Sequence, residues 1–136
     1  MQRVKPSFAA LALLCVTACG TTAVPKRPTS AGQVAQFRQF AGPPIDSFTY
    51  LRHYYAWTPL GNLQLVIWTD INDAYLITVL PPCVGLDFTA GVGITNSAHT
   101  VTRGVDAVTF DHQYCLIKQI RYVNYLAMKR ATHGLP

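Results

Sequence analysis

The sequence predicts a single α+β domain, mostly an antiparallel β-sheet laid out as a meander that can curl toward a barrel, with a short helix at each end. Three observations predict it. Clusters of β-branched and aromatic residues recur between turn residues from Phe48 to Val123. All 6 carboxylates are aspartates and glutamate is absent, a composition that favours turns and caps over helix interiors. Apolar residues at helical spacing flank this stretch on either side.

The chain opens with Arg3 and Lys5 ahead of an apolar run from Phe8 to Cys19. A hydrocarbon core of roughly 30 Å needs about 20 apolar residues, so this shorter run reads as the core of an export signal and not as a transmembrane helix. Its last residues, Val16-Thr17-Ala18-Cys19, resemble the lipobox of bacterial lipoproteins. The resemblance implies that residues 1–18 are a signal peptide and that Cys19 becomes the mature N-terminus. It further implies a diacylglycerol on the Cys19 thiol and a third acyl chain, such as palmitate, on its amine. At about 0.8 kcal/mol per buried CH₂, several chains together anchor a domain nearly irreversibly. An ordinary signal peptide, cut around Thr21 to Ala23, is the alternative. Gly20 stands where the inner-membrane retention signal of such lipoproteins has aspartate, which points to the outer membrane and a periplasm-facing domain.

Removing residues 1–18 from the 136 leaves 118, one domain with its own core. The net charge of +5 falls to +3 once Arg3 and Lys5 are gone. The remaining basic residues are scattered, which is no footprint for nucleic acid. Cys15 leaves with the signal and Cys19 is taken by lipid. Cys83 and Cys115 then remain to pair in a compartment that permits disulfides. Closing a loop of about 33 residues contributes roughly 3 to 4 kcal/mol in the chain-entropy model. A reactive thiol or a metal pair is the competing reading, though neither CxxC spacing nor a histidine cluster accompanies these cysteines.

Residues 19–32, rich in Thr, Ala, Pro, Lys, Arg and Ser, read as a lipidated cysteine and a flexible tether. The domain then covers 33–136. Val34, Phe37 and Phe40 predict a helix over Gln33–Ala41, with Ser30 as a cap, ending at Gly42-Pro43-Pro44. A meander of three strands follows: Phe48–Trp57, Leu63–Thr69 and Ala74–Leu80. Thr58–Asn62 and Asp70–Asp73 turn the chain, and Pro81-Pro82 stops it. Leu86–Thr95 predicts a bulged or bent strand at Gly91 and Gly93. Short strands at Val101–Arg103 and Val105–Phe110 lead through an Asp111-His112-Gln113 turn into Tyr114–Val123. Asn124 caps a last helix through Ala131.

Candidate chemistry is sparse. Asp111, His112 and Cys115 could act as orienter, base and nucleophile, yet Cys115 is better used in a disulfide. His53, His99 and His133 lack metal-ligand spacing, Asp70 and Asp73 flank a tight turn, and Gly91-Val92-Gly93 has no phosphate-loop context. No metal or cofactor site is expected. The aromatic set is different, because an alternating strand from Phe48 to Trp57 would carry rings on both faces. Tyr55, Trp57, Trp68 and Tyr75 are therefore the candidate binding surface.

In order, Ala41–Phe48, Trp57-Thr58-Pro59-Leu60-Gly61, Ile67-Trp68-Thr69, Ala74-Tyr75-Leu76, Pro82-Cys83 and Cys115–Arg121 resemble a group of short proteobacterial lipoproteins that share a domain of unknown function. The likeness covers roughly residues 37 to 123 and implies an exported two-cysteine domain without adding a catalytic residue. The expectation is a lipid-anchored envelope protein that acts as a non-catalytic binding or interaction module. Its partners are the membrane, through the lipid, and an envelope protein. The alternatives are a periplasmic enzyme using Asp111 and His112 or His53, and a carrier of an apolar ligand.

Overall fold

The computed structural model describes residues 30–134 except Arg52. The leader, Cys15, Cys19 and the segment up to Thr29 lie outside the described residues. The described chain runs α1 (Ser30–Phe40), β1 (Ala41–Ile45), β2 (Ser47–Thr49), β3 (Ala56–Pro59), β4 (Gln64–Trp68), β5 (Asp73–Val79), β6 (Gly93–Ile94), β7 (Thr100–Thr102), β8 (Ala107–Phe110), β9 (Gln113–Asn124) and α2 (Tyr125–His133). Two end helices and a mostly antiparallel sheet curled into a half-barrel are the predicted α+β class.

The main sheet has the order β3-β4-β5-β9-β8-β6, with β1 also paired to β9. β9 is the longest strand, at 12 residues. One of its edges pairs with β5 from Ile117 to Asn124. The other edge is shared, since Gln113–Leu116 pair with β8 and Ile120–Val123 with β1. The β5/β9 register slips between Thr78 and Val79, which face Gln119 and Ile117. The extra residue, Lys118, is exposed, and Ile117 and Ile120 both reach the core although three positions separate them. β2 and β7 form a separate two-stranded ribbon that sends Phe48 and Val101 into the same core.

Two apolar clusters lie on opposite faces of the sheet. Leu65, Ile67, Ile77 and Val108 fill the inside of the half-barrel. Val66, Trp68, Leu76 and Val123 point the other way, against Phe37 of α1 and Met128 of α2. Strand alternation divides Leu65-Val66-Ile67-Trp68 between the two clusters, which is why β4 reads as an unbroken apolar run. The helices touch through Gln36 Nε2, which donates to Thr132 Oγ1 at 2.9 Å. Arg121 donates from Nε to the Gly42 carbonyl at 2.7 Å and from Nη2 to that of Ala41 at 2.9 Å, fixing α1 and β1 to the sheet. Asn124 caps α2 as predicted, its Oδ1 accepting from the Ala127 N–H at 3.1 Å.

The structure corrects three elements. The predicted strand Phe48–Trp57 is two strands, because β2 pairs with β7 while β3 pairs with β4; residues 50–51 and 53–55 belong to the segment that crosses from the ribbon to the sheet. Thr58 and Pro59 belong to β3 instead of the turn. Leu60 N donates to the Gln64 carbonyl at 2.8 Å, so by register Pro59 occupies a position whose nitrogen faces the free edge, where no donor is needed. Of Leu86–Thr95, only Gly93–Ile94 is a strand. The loop before it is held by buried Leu86 and Val92, so its apolar residues fill the core without pairing. At Gly93 a Cβ would meet Thr109 Oγ1 at 2.5 Å, so glycine there permits the close approach of β6 to β8.

Turns and a buried carboxylate set the second half. Asp111 and His112 have φ of 45° and 62°, and Ala98 and His99 have φ of 49° and 61°. These are two-residue hairpin turns of the primed type, whose twist suits the flanking strands. Cys83 and Cys115 form a disulfide that ties the loop after β5 to β9. Asp106, only 4% exposed, is the one charged side chain buried among the described residues. Its Oδ2 accepts from Thr102 N at 2.8 Å and its Oδ1 from Thr95 Oγ1 at 2.9 Å, while Thr95 Oγ1 accepts from Ala107 N at 2.8 Å. One carboxylate thus fastens the ends of β6, β7 and β8.

Removing that carboxylate leaves the Thr102 amide and the Thr95 hydroxyl without their partner. Asp106→Ala is expected to destabilise by about 2 to 4 kcal/mol, and Asp106→Asn by less. Urea denaturation measures both; equal stability of Asp106→Ala and the parent contradicts the assignment.

Candidate functional site

The crossing segment after β2 and the turn between β4 and β5 face each other across a cleft of about 460 Å³. Tyr50, Leu51 and His53 line one side; Thr69, Asp70, Asp73 and Tyr75 line the other. Register explains the placement. β2 ends at Thr49, but Tyr50 N still donates to the His99 carbonyl at 2.7 Å, which carries the ribbon to the mouth of the cleft. Asp73 opens β5 opposite Asn124, and Tyr75 sits opposite Tyr122.

Tyr50 and Tyr75 are the rings of the wall, and Phe48 and Tyr122 back them. Phe48 stacks on Tyr75 with centroids 4.2 Å apart and planes at 15°. Tyr50 meets Phe48 edge-on at 6.4 Å, and Tyr122 meets Tyr75 edge-on at 5.6 Å. Such pairs hold one another in place beyond what their area alone gives. Tyr54 fixes the crossing segment through its hydroxyl, which donates to the Val92 carbonyl at 2.9 Å.

The carboxylates stand on the rim. Asp70 Oδ1 accepts from Ile71 N at 2.6 Å, a turn bond that leaves its other oxygen available. Asp73 Oδ1 accepts from the Tyr122 hydroxyl at 3.4 Å. Burial pushes the Tyr75 phenol above its ordinary value of 10.0, and the charges of Asp73 and Tyr122 push it further. Tyr122 is raised by the covered part of its ring and then by Asp73. Burial also raises Tyr50. An aromatic floor under two carboxylates can receive an apolar body that carries a cationic or hydrogen-bond-donating head.

The four aromatic residues singled out from the sequence are spread over three clefts. Tyr75 lines the one just described. Trp57 lies on the same face of the sheet but lines a second cleft of about 480 Å³ with Gln33, Pro59, Asp87 and Thr89. Trp68 is on the opposite face, and with exposed Tyr55 it borders a small apolar recess of about 220 Å³ beside Tyr125. The sequence placed these rings by one unbroken alternation, and the break between β2 and β3 undoes it. Asp111 and His112 are the hairpin tip between β8 and β9; they do not line the cleft that holds His53. Cys115 is in the disulfide. Among the described residues no group of three His, Cys or Asp side chains could hold a metal ion.

The family of unknown function DUF6491 matches residues 2–134. The protein belongs to that family. The match reaches beyond residues 37–123 on both sides. No curated protein and no solved structure matches the chain. In this DUF6491 protein the site residues that the sequence reading passed over are Tyr50, Asp70, Asp73 and Tyr122. In sequence the two aspartates read as turn residues, and the structure keeps them at that turn. Tyr122 has a usable signal, because it shares a strand face with core residue Ile120 and lies opposite Tyr75.

The phenols give a pH test. Each is neutral in both folded and unfolded chains below its unfolded value of about 10. Above it the unfolded chain loses the proton first, so stability falls as pH rises through the raised folded values. Asp73→Asn is expected to bring Tyr75 and Tyr122 back toward the ordinary value in an ultraviolet titration while Tyr50 stays raised. An unchanged titration of all three contradicts the arrangement.

Proposed function

We propose that this protein is a lipid-anchored component of the bacterial envelope, at the outer membrane and facing the periplasm. It serves as a binding module whose site is the cleft between Tyr50–His53 and Thr69–Tyr75. The anchoring part rests on the basic start, the short apolar run and the Val16-Thr17-Ala18-Cys19 resemblance; a disulfide between Cys83 and Cys115 fits an export compartment. The binding part is carried by one observation, the ring-walled cleft with Asp70 and Asp73 on its rim. The rings bring desolvation and shape, and the carboxylates select the sign of the head group. The ligand is an aromatic or aliphatic body with an amine or ammonium head, either a small molecule or a side chain of an envelope protein.

A matched pair of probes tests the binding part. Phenylethylamine is expected to shift the NMR signals of Tyr50, Tyr75 and Tyr122, and phenylacetate is not. Each rim carboxylate is solvent-exposed, so Asp73→Asn should weaken amine binding about 2- to 5-fold, the range of an exposed ion pair. Equal response to both probes, or signals that move elsewhere, counts against the cleft. Cys19→Ala is expected to release the protein from the membrane fraction, and wild-type processing of that variant removes the anchor from the reading.

An enzymatic reading has one observation in its favour: His53 lies in the same cleft as Asp70 and Asp73, where an imidazole and a carboxylate could share proton transfer. His53→Gln separates the two. A binding module keeps its amine affinity, and an enzyme loses turnover while it still binds.

A further inference from the structure

We propose that the loop from Val84 to Phe88 is the face that the domain turns to a zwitterionic lipid surface, with the Phe88 ring entering the headgroup boundary; this rests on the lipid-anchored reading above. Phe88 is 89% exposed and Val84 69%, and both are large apolar side chains. Their exposure is built in. Cys83, next to Val84, is bonded to Cys115. Gln113 grips Val84 from both sides, donating from Nε2 to its carbonyl at 2.7 Å and accepting its N–H at 3.1 Å. The Gly85 carbonyl accepts from Phe88 N at 3.0 Å and from Thr89 N at 3.1 Å, closing the turn that presents the ring. Leu86, fully buried, pins the middle of the loop to the core. A short loop pinned by Leu86 and by these hydrogen bonds, with Val84 and Phe88 turned outward, is a surface prepared for an apolar phase.

What covers this surface follows from where the chain enters the domain. Gln33, in the first turn of α1, lines one cleft together with Asp87 and Thr89, the residues on either side of Phe88. The chain from Cys19 therefore reaches the domain beside this loop. Between Cys19 and Ser30 it spans at most about 40 Å when fully extended, so an anchor at Cys19 brings the lipid surface within reach of this end first. The charged side chains of this loop and of the β8/β9 turn are Asp87 and Asp111, both exposed, so the docking loop itself carries no cation to draw it to an anionic surface. The ligand cleft lies at the other end of β9. Gln113 holds Val84, whereas Tyr122 holds Asp73. At strand rise those two residues are roughly 30 Å apart, which separates the Val84 end of the loop from the cleft.

The test uses the full lipid-modified protein, purified from its membranes and placed in phosphatidylcholine vesicles with brominated acyl chains. Phe88→Trp adds an indole at the tip, and Leu51→Trp adds one at the cleft end. Bromolipid is expected to quench the added fluorescence of Phe88→Trp about 2-fold or more, while that of Leu51→Trp stays unchanged. Phosphatidylglycerol in the vesicles should not increase the quenching. Quenching of Leu51→Trp instead, or of neither variant, overturns the proposal. The intact mass of the same preparation distinguishes the two levels of the argument. Acylated protein with an unquenched tip overturns the membrane contact alone, and protein without acyl chains overturns the anchored reading and this contact with it.

Discussion

The pairing of β9 on both edges is the constraint on which the rest of the structure depends. One edge pairs with β5 from Ile117 to Asn124, and its other edge is divided between β8 and β1. The register slip at Lys118 bends this 12-residue strand between the part that pairs with β8 and the part that pairs with β1. That bend turns a flat meander into a half-barrel, because it swings Gln113–Leu116 out of line with the β5 half of the strand. The disulfide at Cys115 and the Arg121 contacts to Ala41 and Gly42 then fasten the rest of the chain to the two halves.

A strand with two fastened ends gives the domain two distinct poles. At one, Gln113 and Cys115 brace a loop that holds its apolar residues outward. At the other, Tyr122 joins a run of rings and an aspartate on the rim of a cleft. The sheet between the poles is buried on both faces, by the half-barrel core on one side and by α1 and α2 on the other. Neither pole has room to shift relative to the other without opening one of those interfaces. A tethered domain with such a frame can present one end to a surface and keep the opposite end available.

The sequence made the frame legible and the cleft largely not, for physical reasons. The meander β3-β4-β5, the two end helices, the Asn124 cap and the pairing of Cys83 with Cys115 follow from local signals: turn residues, periodicity and cysteine parity. The cleft depends on a change of partner between Thr49 and Ala56, and no local signal marks it, because β-forming residues continue through Tyr50 and Tyr54 where the strand does not. Asp106 was equally hidden, since it falls inside the predicted strand Val105–Phe110 and its burial depends on Thr95, 11 residues back, folding against it. The loop before β6 misled in the opposite sense. Leu86 and Val92 look like strand residues and are buried as such, but the disulfide and the Gln113 contacts hold them without a ladder.

The central claim is that β9 is one rigid strut joining the two poles, and native-state hydrogen exchange tests it most directly. The account predicts that β9 amides from Ile117 to Val123 exchange only through global unfolding, with the same free energy and the same denaturant dependence along the whole segment. Reducing the Cys83–Cys115 bond should lower protection in the loop from Val84 to Val92 before it lowers protection in β9. If the Tyr122 end of β9 opens separately from the Ile117 end at a lower free energy, the strand is not a single strut and the account is contradicted.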